Sequence, residues 1–354
     1  MTNFLQLHLL TFYAPSNLNR DDLGRPKTAI VGGVNRLRVS SQSLKRAWRV
    51  SDVFKTQLEG HLAKRTQRIG TVIYEHLLAL GQAPEAAQKL TRQIMPVFGK
   101  PKAEDDKTPL YTEQLAFISE EERAKALEFA TRLANGEKFD AAKQADEILR
   151  QTDSAADLAM FGRMLAANPD YNREAAVQVA HAITTHKSAI EDDYYTAVDD
   201  LKKPSEDAGA GFLGEAGFGA GLFYLYLCID RDLLVKNLGG DKKLAAAACA
   251  ALIEAAATIA PAGKQASYAS RARASYILAE RGTAQPRSLA AAFLQPVRET
   301  EKDGDMMAAS IYRLTKLRDD LQTTYGDATE SKTMSVSGEG ALADILTFVR
   351  ADAP

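Results

Sequence analysis

Hydrophobic positions follow a strand-like pattern near both ends of the chain and a helical pattern in between. Residues 4–13 are rich in β-forming side chains and run into a turn cluster at 14–17, which predicts a first β-strand. Strand signals return at 177–187 and at 222–229, where β-propensity is high. The helical periodicity between these regions predicts helices at about 71–80, 85–95, 119–134, 139–150, 154–166 and 172–181.

The segment between the turn cluster and Ser40 is predicted to be a long basic loop, because glycines and a proline interrupt any regular pattern there. A helix is expected to begin near Ser40, whose hydroxyl can accept hydrogen bonds from the free N–H groups of the first turn. Leu44 and Trp48, four residues apart, are expected to pack on the core. Lys45 and Arg49 then form a cationic stripe beside them.

Residues 191–221 form an unusual insert between two strand signals. The insert begins with acidic and aromatic residues, and six of the positions from 209 to 221 are glycine. A segment so rich in glycine cannot pack a core of its own. It is therefore predicted to be a projecting hairpin or a flexible arm.

The remaining pattern completes the fold class. An Ala-rich segment at 242–260 predicts a helix whose small side chains allow close packing, and a last helix is expected at about 340–351. With strands at both ends of the sequence and helices between them, the chain is predicted to be an α+β sheet domain interrupted by a helical insertion.

Composition excludes several classes of protein. The chain has 354 residues and 45% hydrophobic content, enough for a buried core, but no run approaches the roughly 18 apolar residues of a membrane span. Its first ten residues lack the basic region and cleavage site of a secretory signal. Cys228 and Cys249 have no metal-ligand spacing, so they are expected to be buried, reduced thiols of a cytoplasmic protein. No cofactor is predicted.

Positive charge is concentrated between residues 20 and 49, in a chain whose formal net charge is −2. A basic segment in a nearly neutral protein indicates a patch that binds a polyanion. Serine and glutamine stand among the charges, and such side chains contact phosphate and sugar without reading base identity. The alternative is an ordinary solvated surface. The basic residues are Arg20, Arg25, Lys27, Arg36, Arg38, Lys45, Arg46 and Arg49, against Asp21 and Asp22.

Short motifs for other chemistry are weaker. Residues 209–214 match GxGxxG, but neither a preceding strand nor a following helix is predicted, which argues against a dinucleotide site. The acid pairs Asp192–Asp193 and Asp199–Asp200 are candidate divalent-metal ligands. Adjacent acids in an exposed insert are more typical of a solvated or partner-facing surface.

Two histidines and a methionine segment each allow two interpretations. His181 or His186 could act as a general base in RNA cleavage, but a structural histidine fits the pattern better. Residues 160–164 (MFGRM) would ordinarily be core. Gly162 interrupts the apolar run, however, so an exposed wedge is the second interpretation.

Four sequence blocks resemble a known family. The chain is similar to the backbone subunit of the type I-E CRISPR surveillance complex, Cascade, which is present in several copies along the guide RNA. The resemblance covers both ends of the chain in order and fades in the helical insertion, where only residues 162–164 match. The blocks are residues 16–22 (SNLNRDD), 36–46 (RLRVSSQSLKR), 180–186 (AHAITTH) and 196–201 (TAVDDL).

The resemblance implies a fold shaped like a right hand. The palm would be a modified RRM-like, ferredoxin-like domain made of residues 1–58 and 178–354. Residues 59–177 would be the inserted helical fingers, and residues 191–221 a β-hairpin thumb. This division agrees with the independent pattern of strands, helices and a glycine-rich projection.

The resemblance also implies which residues bind RNA. Palm residues would grip the backbone of the guide, and Met164 would wedge between nucleotides. Lys264 and Gln265 lie in a matching PAGKQ block and are weaker candidates. Arg49 stands where relatives can carry lysine, so the charge is kept while the contact geometry differs. The palm candidates are Arg20, Lys27, Ser40, Gln42, Lys45 and Arg49.

These observations predict a non-catalytic subunit that polymerises head to tail on CRISPR RNA and presents its bases to a target DNA strand. Its partners would be the RNA, the paired DNA strand, copies of itself and the other Cascade subunits, with no metal and no membrane. One alternative is a metal-independent CRISPR endoribonuclease that uses His181 or His186. Another is a generic single-copy RNA chaperone, which would form no regular filament.

Overall fold

The computed structural model describes residues 3–141, 143–197, 212–298 and 300–351. Within these ranges, nine strands form one sheet, two further strands form a separate ladder, and every strand pair is antiparallel. The strands are β1 Phe4–Ser16, β2 Thr28–Val31, β3 Val34–Val39, β4 Lys64–Thr66, β5 Ala116–Ile118, β6 Val177–Val179, β7 Ala182–Thr184, β8 Glu191–Ala197, β9 Phe212–Asp230, β10 Tyr276–Gly282 and β11 Glu330–Ser335.

Helices occupy the long intervals between these strands. The α-helices are α1 Ser41–Arg49, α2 Asp52–Gln57, α3 Ile69–Ala79, α4 Pro84–Ile94, α5 Glu120–Ala134, α6 Ala145–Ile148, α7 Ala156–Phe161, α8 Arg231–Asn237, α9 Lys242–Thr258, α10 Gln265–Tyr268, α11 Met306–Tyr325 and α12 Leu342–Arg350. None of the helices in the described ranges combines the length and apolar character that crossing a bilayer requires.

The sheet is organised around β1. Its strands follow the order β11-β10-β1-β9-β7-β3-β2, and β6 and β8 also pair with β9. Successive β1 side chains point to opposite faces. Leu5, Leu7 and Leu9 enter the largest hydrophobic cluster, whereas Leu10 enters a second cluster on the other face.

Helices cover both faces of this sheet. The largest cluster unites the β1 leucines with Leu44 and Trp48 of α1, the alanines of α9 and residues of α12. On the opposite face, Phe293, in the segment before α11, and Leu314 of α11 pack over the aromatic residues of β9 and β10. The central strands are therefore buried on both sides.

A separate hydrophobic cluster lies in the helical region of the chain. It runs from Ile69 to Leu165 and joins α3, α4, α5 and α6. This cluster falls inside the segment predicted to be the fingers. The exact division into palm, fingers and thumb stays a prediction.

Many of the predicted elements are confirmed. The first strand, the helix after Ser40, the strand over 222–229, the Ala-rich helix and the last helix all form. Ser40 caps α1, because its hydroxyl accepts a hydrogen bond from the Ser43 N–H at 3.4 Å. Both Cys228 and Cys249 are buried free thiols, as expected.

Three predictions about secondary structure are wrong. The segment before Ser40 is not a simple loop, because β2 and β3 form a hairpin there. The helix predicted at 172–181 is absent, and strand β6 occupies part of it. The helix predicted at 139–150 shortens to α6. In the first two cases pairing with distant strands, of β3 with β7 and of β6 with β9, overrides local periodicity.

The predicted hairpin of the insert is confirmed where the structure describes it. Strand β8 pairs with the first half of β9, from Glu191 opposite Phe218 to Ala197 opposite Phe212. Asp199, Asp200 and the first glycines of the GxGxxG match lie outside the described residues. Gly214 belongs to β9, so the end of that motif is strand and is not followed by a helix.

Candidate nucleic-acid interface

Helix α1 presents one apolar face and one basic face. Leu44 and Trp48 are buried in the core, while Gln42 and Arg46 are exposed and Lys45 is half-buried. The helical spacing of four residues accounts for this division. Three hollows, each sharing residues with the next, lie along α1, and together they are called the α1 groove below.

The first hollow brings four of the predicted site residues together. It has a volume of about 530 Å³, and apolar side chains, among them Leu115 and Phe161, form part of its wall. Such a mixture suits a nucleotide, which has a charged backbone and flat apolar faces. Its polar and protruding side chains are Gln42, Lys45, Arg46, Arg49, Arg65 and Met164.

Arg49 lies between the core and the first hollow. Its guanidinium group stacks over the Phe117 ring at 4.9 Å, and its Nε lies 3.5 Å from Oδ2 of the buried Asp157. Burial raises the pKa of Asp157 to about 6, although backbone amides and Arg49 oppose the shift. The contacts to Phe117 and Asp157 fix the plane of the Arg49 guanidinium beside the hollow.

The cations of the first hollow repel one another. Burial, followed by the charge of Arg65, lowers the pKa of Lys45. Burial also lowers the pKa of Arg49; the charge of Asp157 opposes this shift, while Arg65 and Arg46 add to it. A bound anion would relieve this repulsion, so the hollow is electrostatically suited to phosphate.

Met164 protrudes from a rigid turn at the edge of the first hollow, with 83% of its surface exposed. Gly162 turns the chain with φ of 69°, and a Cβ there would lie 2.7 Å from the Arg173 carbonyl oxygen. Arg163 is buried and makes two 2.7 Å bonds to the Glu122 carboxylate. The exposed position of Met164 agrees with the predicted wedge, whose insertion between nucleotides stays a prediction.

The middle hollow holds Arg20 and shares Arg46 with the first, and its volume is about 670 Å³. The turn that carries Arg20 is tied to α1, because the Asn19 side-chain oxygen accepts a hydrogen bond from the Ser40 N–H at 2.9 Å. Ser40 itself is buried, with 7% of its surface exposed, and its hydroxyl caps the helix. The structure thus shows a structural function for Ser40, and its predicted RNA contact stays a prediction.

Lys27 lies beyond the turn, in a small cleft that shares Asn19 with the middle hollow. Arg38 lines the same cleft and contacts His181, with Nη1 2.9 Å from Nδ1. Burial, and then the charges of Arg38 and Lys27, lower the pKa of His181. His186 lies elsewhere, with Nε2 accepting from the Leu222 N–H at 3.1 Å.

The third hollow lies on the far side of α1 and has a volume of about 650 Å³. It shares Ala47 and Val50 with the middle hollow and includes the predicted residue Gln265. Lys264 is exposed at the start of α10 but does not line the hollow. Among the described residues, no group of three His, Cys, Asp or Glu side chains is placed to hold a metal ion.

The predicted basic patch is wrong at Arg36. This side chain is fully buried and donates hydrogen bonds to the carbonyl oxygens of Thr184 and Phe293, at 2.9 and 2.8 Å. Arg25 is also engaged, through a 2.6 Å ion pair with Asp192. The prediction that residues 20–49 form one continuous patch therefore needs correction, since part of the charge is structural.

Other arginines in the α1 groove have side chains without any partner in the described ranges. They make no hydrogen bond, ion pair or aromatic contact, and all five are exposed. The sequence carries no signal at Arg65, because it belongs to a three-residue strand with no motif around it. These arginines are Arg20, Arg46, Arg65, Arg271 and Arg273.

Comparisons with known proteins identify relatives over nearly the whole chain. A family model described as "CT1975-like protein" matches residues 5–349. A chain of a solved structure titled "CRISPR RNA-guided surveillance complex, pre-nicking" is similar with a TM-score of 0.86 and 29% identity. A second, from a "CRISPR RNA-guided surveillance complex", has a TM-score of 0.74 and 26% identity. Each match covers 99% of this chain and 100% of the other. Comparison with curated protein sequences found no match.

Proposed function

The chain belongs to the CT1975-like protein family, and on that premise we propose that it is a non-catalytic RNA-binding subunit of a CRISPR surveillance complex. The observation that carries this proposal is the α1 groove, where Arg46 and Arg65, which have no protein partner in the described residues, line the same hollow as the exposed Met164. Unpaired guanidinium groups hydrogen-bond phosphate oxygens, and an apolar side chain beside them can separate stacked bases. The similar chains of known surveillance complexes support the same assignment.

The proposed complex is of the Cascade type, I-E, in which this subunit is the repeated backbone. Copies would assemble head to tail, because a heterologous interface that does not close makes an open filament suited to a linear RNA. The β8–β9 hairpin would be the thumb that reaches over the next copy and kinks the RNA. The exposed bases would then pair with target DNA, so that pairing supplies the sequence specificity.

The order of the sheet supports an RRM-like palm. Strands β10, β1, β9 and β7 are neighbours in that order, and α1 and α9 pack on one face. This is the arrangement of a ferredoxin-like βαββαβ unit. An ordinary RRM stacks bases on the open face of its sheet. Here α11 covers that face, which favours the α1 groove as the RNA site.

The surroundings of the two histidines favour a subunit without nuclease activity. The bond from Arg38 engages Nδ1 of His181, and the Leu222 N–H engages Nε2 of His186. A general base needs a free lone pair directed at its substrate. For either histidine to act as one, these bonds would first have to break. The alternative, an endoribonuclease, therefore depends on His181, whose side chain is exposed.

A nuclease footprint on a long single-stranded RNA tests the proposal. The purified protein should protect the RNA at evenly spaced positions without cutting it. Met164→Ala should blur the spacing, because the wedge would be lost, while leaving most of the affinity. Val336→Ala, which changes an equally exposed apolar residue outside the groove, is the matched control.

Two outcomes would contradict the proposal. A single protected segment that does not repeat would indicate an RNA-binding protein acting as one copy. Cleavage of the RNA in EDTA that disappears in His181→Ala would indicate the endoribonuclease.

A further inference from the structure

We propose that the third hollow is a second phosphate-binding site, in which Arg271 and Arg273 receive the RNA strand after it has crossed α1. This inference rests on the proposed function, since it extends the same groove. Neither arginine belongs to a sequence block that predicts RNA binding. Both line the third hollow, next to Gln265.

The backbone places the two arginines on the same side of the chain. They stand two residues apart, and exposure alternates along residues 271–274, with both arginines exposed. The alternating residues face inward. Ala272 packs against the largest hydrophobic cluster, and Ala274 is buried with its N–H bonded to the Ala257 carbonyl oxygen at 2.8 Å. Packing of these alanines leaves the guanidinium groups outside.

The loop that precedes the arginines is held in a strained conformation. Of the three non-glycine residues with positive φ in the described ranges, Lys264 and Ala269 flank the turn α10, with φ of 47° and 48°. A Cβ at Gly263 would lie 2.2 Å from the Leu18 carbonyl oxygen, so the loop presses against the turn that carries Arg20. Strain of this kind persists where the surroundings enforce it, and it is concentrated at functional sites.

The groove is continuous from the first hollow to the third. Arg46 lines the first and middle hollows, while Ala47, Val50 and Ala262 line the middle and third. Unpaired arginines occur in all three hollows. Among the described residues, Asp21 and Asp22 also line the middle hollow, and Asp52 is the one acid that lines the third. Two neighbouring guanidinium groups without protein partners, at the end of this groove, fit the phosphodiester of a single strand.

The test compares two double variants with the parent protein. Arg271→Gln with Arg273→Gln should weaken binding of a long oligouridylate by about tenfold and lower the salt slope by roughly 1.4, since each single-strand phosphate contact contributes about 0.7. Lys242→Gln with Lys243→Gln is the control. It removes the same charge at the other end of α9, roughly 25 Å from the hollow for a helix of this length.

A length series of oligouridylates locates the site. As the RNA shortens until it fills only the first and middle hollows, the difference between parent and the Arg271/Arg273 variant should vanish. Unchanged circular dichroism and thermal unfolding would confirm that the variant folds.

The possible results separate this inference from the proposed function. The inference is overturned if the Arg271/Arg273 variant binds long RNA as tightly as the parent or the Lys242/Lys243 control does. For this conclusion, substitutions at Lys45 and Arg46 must still weaken binding in the same assay. That result would indicate that the two arginines bind an acidic protein surface and not RNA. If substitutions at Lys45 and Arg46 have no effect either, the proposed function itself fails.

Discussion

Arg163 and Arg46 both line the first hollow, but their guanidinium groups have opposite surroundings. Arg163 is buried and bonded to Glu122 and to backbone carbonyl oxygens, whereas Arg46 is exposed and has no partner in the described residues. Arg173 repeats the first pattern, with a buried 2.9 Å ion pair to Asp153. The same residue type is a structural element in one region and an available anion ligand in the other.

The comparison shows how the site is built. The buried pairs hold the turn that carries Met164. The position of this exposed side chain therefore depends on charged groups that are themselves buried. The unpaired arginines make no contact that stabilises the fold, so their guanidinium groups are available to an anion. Whether a guanidinium already has a carboxylate or carbonyl partner is thus the feature that separates the two regions.

The largest expected effect comes from breaking a buried pair. Arg163→Met removes the partner of the fully buried Glu122 and should lower the free energy of unfolding by about 3–5 kcal/mol. Arg65→Met, the matched change in the α1 groove, should alter it by less than about 0.5 kcal/mol. Urea denaturation of both variants measures the difference. Equal losses would show that the two regions do not differ in this way.

Arg49 is intermediate between the two kinds of arginine, because it lies beside the first hollow but is ion-paired with the buried Asp157. The pH dependence of stability should reveal this pair. Because burial raises the pKa of Asp157 to about 6, the folded state binds more protons than the unfolded state between about pH 4 and 6. This carboxyl therefore makes the protein less stable as the pH rises through that window. Asp157→Asn keeps acceptors for the N–H groups of Ala63 and Leu158 but cannot ionise.

The expected result is a change in relative stability. From pH 4 to pH 7, Asp157→Asn should gain about 2 kcal/mol relative to the parent in urea denaturation. Subtracting the parent at each pH removes the contribution of other carboxyls, such as Glu280. Burial alone would raise the pKa of Glu280, but His8 and Arg287 hold it at about 2. A constant difference would contradict the account of Asp157 and Arg49.

Much of the fold could be predicted from the sequence, because local signals and the core agree there. The Ser40 cap and the four-residue spacing of Leu44 and Trp48 define α1 without any tertiary information. The membership in a CRISPR surveillance-complex family was also predicted, from long sequence blocks, and the comparisons confirm it.

The errors arise where distant residues decide the outcome. Arg36 looks like its basic neighbours, but its two acceptors are 148 and 257 residues away in the sequence. Arg65, Arg271 and Arg273 carry no local signal, since only the folded chain brings them to α1. Sequence could therefore predict which segment is basic, but it could not sort the engaged arginines from the free ones.

The most direct test of this account is the salt dependence of RNA binding. Lys45→Gln with Arg46→Gln removes two charges from the first hollow and should leave stability unchanged, because Lys45 is only half-buried and Arg46 is exposed. Affinity for single-stranded RNA should fall by about tenfold, and the slope of log affinity against log salt by roughly 1.4. The Lys242/Lys243 control should keep the slope of the parent. A slope that is the same in all three proteins would contradict the claim that the cations of the α1 groove bind phosphate.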